Sequence, residues 1–91
     1  MNQTAKHIIF IGRVQGVGFR FTVHSIARRC ELTGFVRNLL DGSVEMVAQG
    51  APDDIDDCVR DLKETYQGSV KEAKIEEIPL NSQYSDFKIT F

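Results

Sequence analysis

The chain has 91 residues, with 11 Lys plus Arg against 13 Asp plus Glu and a formal charge of −2 with histidine neutral. That length fits one compact domain over residues 1–91. Its 27 Leu, Ile, Val and Phe residues, about 30% of the chain, stand above the roughly 20% below which chains stay disordered. The near-balanced charge and the lack of a basic block argue against nucleic-acid binding by phosphate neutralisation.

In chain order, residues 7–14 open with the run Ile8-Ile9-Phe10-Ile11. A continuous apolar run of this length fits a central strand covered on both faces. It falls far short of the roughly 20 residues of a membrane span. With only Lys6 ahead of it, it also makes a poor secretory signal, so a soluble, cytoplasmic protein is expected. Gly12, Gly16 and Gly18 follow within seven residues, a density that suits a sharply turning backbone. From Phe19 the period changes: Phe19, Val23, Ile26, Ala27 and Cys30 fall at offsets 0, 4, 7, 8 and 11, the stripe of an amphipathic helix. Arg28 and Arg29 suit its negative C-terminal pole.

Residues 32–38 return to strand character, Asp41-Gly42 signals a turn, and residues 43–49 alternate as a second strand. Pro52 opens a second helix, with Asp53 and Asp54 at its positive pole. Ile55, Cys58, Val59, Leu62 and Tyr66 form its apolar stripe, and Gly68 follows as a stop. Residues 70–78 are charged and β-capable, as in an exposed edge strand. Phe87, Ile89 and Phe91 alternate in a short terminal strand, and Phe35, Phe87 and Phe91 are core candidates. The resulting βαββαβ order plus a short fifth strand is an α+β, ferredoxin-like pattern with two helices on one sheet face. Cys30 and Cys58 lack metal-ligand or C-x-x-C spacing and fall on helix stripes, where reduced thiols act as small hydrophobes.

The chemistry concentrates in Gly12-Arg13-Val14-Gln15-Gly16-Val17-Gly18-Phe19-Arg20, between a strand and a helix start. Successive N–H groups in such a loop converge into an anion-binding nest, and the helix N-terminus adds its own free donors. Arg20 in the first helical turn opposes the local preference for acidic residues there, a conflict that a bound anion removes. Its planar fork matches two phosphate oxygens. A P-loop needs Lys-Ser/Thr after its glycines, and Phe19-Arg20-Phe21 stands there instead. A dinucleotide fingerprint needs a third glycine where Phe21 stands.

The second informative stretch runs from Gly34-Phe35-Val36-Arg37-Asn38 through Asp41-Gly42-Ser43-Val44 to Gly50. In a split βαβ unit the first two strands are parallel and end at the same sheet edge. Asn38 then stands about two strand spacings, roughly 10 Å, from the glycine loop. Its amide offers donor and acceptor, so it can hold a water without taking its proton. Gly16 and Gly18 alone also fit a plain tight connection, and Asn38 alone a turn residue. Arg13 and Arg37 read as rim charges, His24 as non-catalytic, His7 as a residue without an identifiable partner, and the aspartates of residues 53–57 as a solvated helix face.

Through Gly12, Val14, Gln15, Gly16, Val17, Phe19 and Arg20, and through Gly34, Phe35, Val36, Arg37, Asn38, Gly42, Val44 and Gly50, the chain resembles the acylphosphatases. Phe10, where that family tends to carry an aliphatic residue, is a small departure that bears on strand packing only. The resemblance implies a sheet order of 4-1-3-2 with the fifth strand beside the second. It also implies hydrolysis of small acyl phosphates, such as acetyl or carbamoyl phosphate, without metal or cofactor. On this reading Gln15, Gly16, Val17, Gly18, Phe19 and Arg20 hold the phosphoryl group, Arg20 and Asn38 are catalytic, and the protein works as a monomer. The alternatives are a non-catalytic anion-binding or regulatory ferredoxin-like module and the acylphosphatase-like front domain of longer carbamoyl-transfer maturation proteins. The end of the chain at Phe91 favours the free-standing form.

Overall fold

The computed structural model describes residues 2–91 and contains β1 (Thr4–Gly12), α1 (Phe19–Arg29), β2 (Thr33–Asn38), β3 (Val44–Gly50), α2 (Pro52–Thr65), β4 (Val70–Ile78) and β5 (Phe87–Ile89). One five-stranded sheet runs β4-β1-β3-β2-β5. All neighbours are antiparallel except β2 and β5, which are parallel. This is the ferredoxin-like arrangement expected from element order, and the fifth strand lies beside the second as the resemblance implies.

Both helices pack on one face. Phe19, Val23, Ile26 and Ala27 of α1 and Ile55, Cys58, Val59 and Leu62 of α2 are buried. They join Ile8, Phe10, Val36, Val44, Met46, Ala48 and Phe87 in a single apolar core. Each Val, Leu, Ile, Phe or Met side chain among them contributes about 1.5–3 kcal/mol by leaving water. Cys30 and Cys58 are free thiols, and burial pushes the Cys58 thiol up to about 12, which makes it chemically inert.

The opposite sheet face has no helix over it, which corrects the expectation for β1. That strand is central, but it starts at Thr4 and ends at Gly12, and His7, Ile9 and Ile11 are only half-buried. Val14 lies beyond the strand and is nonetheless buried. A four-residue apolar run cannot tell a strand covered twice from one whose second face is shielded by neighbouring side chains. On that open face His7 Nε2 lies 2.7 Å from Glu45 Oε2, and Arg37 Nε donates to Glu45 Oε1 at 2.5 Å. Burial pushes the Glu45 carboxyl up, but these two bonds outweigh it and hold the group below the usual range. His7 thus has a partner two strands of sequence away.

Phe91 corrects a second expectation. β5 ends at Ile89, and Phe91 is 96% exposed, outside the core. Phe35 is half-buried on the open face.

Gly34 is required by close packing of β2 on β3. Its φ is +131°, and a Cβ there would stand 1.9 Å from the Val47 carbonyl oxygen. Gly34→Ala is expected to cost about 3 kcal/mol or more, combining backbone strain with the clash. Urea denaturation measures it, and an unchanged midpoint contradicts this strand approach.

Candidate active site

Strand register sets the geometry. Val44 of β3 pairs with Phe10 on one side and with Asn38 on the other, so the three residues form a row across β1, β3 and β2. β1 and β2 are both antiparallel to β3 and therefore parallel to each other, with their C-terminal ends at one sheet edge. The chain leaves β1 two residues past Phe10 and enters the glycine loop, while Asn38 is the last residue of β2.

The loop is fixed at both ends. The Arg13 N–H donates to the Ser69 carbonyl at 2.8 Å, and Phe19 packs edge-on against Phe10 and Tyr66, with centroids 5.1 and 5.0 Å apart. Gly18 is the N-cap residue of α1 with φ 78°, a left-handed conformation that costs an L side chain about 1–2 kcal/mol, and no side chain caps the helix. The Thr22 N–H makes the first helical bond, to the Gly18 carbonyl at 3.1 Å. Among the described residues, the backbone N–H groups from Gln15 to Phe21 donate to no other group. A row of free donors running into a helix N-terminus attracts an anion.

Five of the residues that carry these donors border a pocket of about 170 Å³ lined by Val14, Gly16, Gly18, Phe19, Arg20, Phe21 and Asn38. Arg20 is the one charged residue in the lining. Among the described residues it makes no ion pair, and its guanidinium carbon lies 4.9 Å from the centre of the Phe91 ring. Asn38 Oδ1 is buried without a hydrogen-bond partner. Leaving a buried acceptor unpaired costs about 1–3 kcal/mol unless an occupant supplies the donor.

The pocket brings together Gly16, Gly18, Phe19, Arg20 and Asn38 of the residues singled out in the sequence. The side chains of Gln15 and Val17 stand elsewhere. Gln15 Nε2 donates to the Leu39 and Ser43 carbonyls, each at 2.8 Å, and so ties the glycine loop to the turn that follows Asn38. Val17 is exposed, and its carbonyl accepts from the Tyr66 hydroxyl at 3.3 Å. That hydroxyl also lies 2.9 Å from Thr22 Oγ1. Tyr66 had shown itself in the sequence only as part of the α2 stripe; a hydroxyl at the end of an apolar stripe was the available sign that its tip reaches polar backbone. Arg37 faces Glu45 on the open side of the sheet, away from the pocket, and His24 lies beside the Phe87 ring at 6.3 Å.

Gln15→Ala removes both loop-to-turn bonds while each carbonyl keeps a backbone partner, since the Gly42 N–H donates to Leu39 and the Leu39 N–H to Ser43. The expected loss is about 1–2 kcal/mol of stability. A thermal midpoint equal to that of the parent chain would show that the Gln15 bonds contribute nothing.

Comparison with known proteins bears on the family and the fold. A family model described as Acylphosphatase matches residues 6–89. An acylphosphatase of Chlorobaculum tepidum is 39% identical over 90 residues, covering 98% of each chain. The crystal structure of acylphosphatase from Bacillus subtilis superposes with a TM-score of 0.89 at 34% identity, covering 97% of this chain and 99% of that one. Full-length HypF, in its phosphate- and nucleotide-bound form, gives a TM-score of 0.86 at 32% identity over 99% of this chain but only 12% of its own.

Proposed function

The chain belongs to the acylphosphatase family, hydrolases acting on acid anhydrides, and on that premise we propose that it hydrolyses the carboxyl-phosphate bond of acyl phosphates through the pocket at the β1–α1 loop. The supporting observation is that one pocket is bordered by a loop with free amides, by Arg20, which makes no ion pair among the described residues, and by Asn38, whose Oδ1 is buried without a partner.

In the proposed reaction the amides from Gln15 to Arg20 and the Arg20 guanidinium hold the phosphoryl oxygens. Asn38 Oδ1 accepts a hydrogen bond from a water and aims its oxygen at phosphorus. The water oxygen bonds to phosphorus as the bond from phosphorus to the carboxyl oxygen breaks, and that electron pair leaves with the carboxylate. The water's proton passes to a phosphoryl oxygen, which makes the step substrate-assisted. Phosphoryl transfer asks mainly for positioning and charge stabilisation. A carboxylate leaves readily, so the route calls for neither a strong general acid nor a metal. This fits a pocket whose lining has no acidic residue or histidine.

Incubation with benzoyl phosphate in ¹⁸O-enriched water tests the reading. Turnover with ¹⁸O recovered in inorganic phosphate supports it. ¹⁸O in benzoate places attack at the carbonyl carbon and contradicts it, and phosphate binding without turnover identifies an anion-binding module instead.

A further inference from the structure

Among the described residues six large apolar side chains are exposed: Val17, Phe21, Leu40, Ile75, Leu80 and Phe91. Two of them, Phe21 and Phe91, stand at the pocket or against its cation, and two more neighbour its lining residues in sequence. Val17 lies in the glycine loop, Leu40 two residues past Asn38, Phe21 in the pocket lining, and Phe91 against the Arg20 guanidinium. Phe21 is 67% and Phe91 96% exposed, while Phe10, Phe19 and Phe87 are fully buried. Apolar surface gathered around the single cation of a pocket marks a place where a ligand with one charged and one apolar end settles.

The lining decides which end goes where. With the phosphate among the loop amides and Arg20, the acyl portion extends toward Phe21, which borders the same pocket. Arg20 occupies one side of the Phe91 ring and leaves the rest of it open. Resting on the reading given under Proposed function, we infer that Phe21 and Phe91 form a collar that selects acyl phosphates with apolar, above all aromatic, acyl groups over those with short or polar ones. Phe21 determines specificity by direct contact with the acyl group. Phe91 does so and also fixes Arg20 through its ring. Acetyl and carbamoyl groups are too small to cover either ring and gain nothing from them.

The test compares benzoyl phosphate with acetyl phosphate, whose carboxylates are leaving groups of similar strength. The parent protein is expected to show a clearly higher kcat/KM for the benzoyl compound. Phe21→Ala is expected to lower the benzoyl-to-acetyl ratio by about three- to tenfold, the scale of one lost aromatic contact, and to do so through KM. Phe21→Leu restores part of the ratio, and Phe91→Leu lowers it while also weakening inhibition by inorganic phosphate. If both compounds are hydrolysed and the ratio stays constant in all three variants, the collar is refuted and the hydrolase reading stands. If the parent protein hydrolyses neither compound, the hydrolase reading itself fails and the collar with it.

Discussion

Arg20→Ala is expected to lower kcat/KM for an acyl phosphate by about 10² or more, the scale of losing one donor to a transition-state oxyanion. Arg20 supplies the only charge in the pocket lining, and among the described residues no carboxylate pairs with it. Nothing nearby replaces it for a phosphoryl group whose charge is spread over three oxygens. Arg20→Lys keeps the charge and loses the planar fork, so it is expected to recover little. Inhibition by inorganic phosphate should weaken in the alanine variant as well, because the guanidinium contacts ground state and transition state alike. Steady-state kinetics with benzoyl phosphate read both effects. A lysine variant with parental kcat/KM would reduce Arg20 to a point charge, and an alanine variant with parental kcat/KM would remove it from the mechanism.

Asn38→Ala is expected to divide the kinetic constants differently. Asn38 lies two strands from the loop and its Oδ1 is buried without a partner, and the proposed reaction assigns it the water rather than the phosphate. Turnover should fall by about 10²–10³, while inhibition by inorganic phosphate stays within a few-fold of the parent value. Its side chain points to the helix-covered face in the same row as Phe10 and Val44, so the truncation leaves a small void at the end of β2. The phosphate inhibition constant separates a damaged pocket from a lost water. A near-normal kcat in this variant would falsify the water-positioning role.

The two motifs were readable because each rests on local chemistry. Three glycines in seven residues suit a plain tight connection as well as an anion cradle, and the arginine at the helix start tips the pattern toward the cradle. Helix stripes and strand alternation fixed the element order, and with it the parallel placement of β1 and β2 that brings Asn38 to the loop. What escaped depends on contacts distant in sequence. Gln15 sits inside the motif, yet its side chain braces residues 24 and 28 positions away. His7 finds Glu45 only once β1 and β3 pair in the observed register. Phe91 fits the alternation of a terminal strand, but β5 stops at Ile89 and the ring goes to Arg20 rather than the core. Period-two alternation reports which side a residue faces and not where the strand ends.

The most direct measurement is a titration with inorganic phosphate followed by ¹H–¹⁵N NMR on the parent protein. The expected result is saturable shifts largest at the backbone amides from Gln15 to Arg20, with the Asn38 side-chain amide moving at the same phosphate concentrations. Shifts absent from that loop, or spread evenly over the exposed lysines and arginines, would contradict a phosphoryl cradle built from the main chain between β1 and α1.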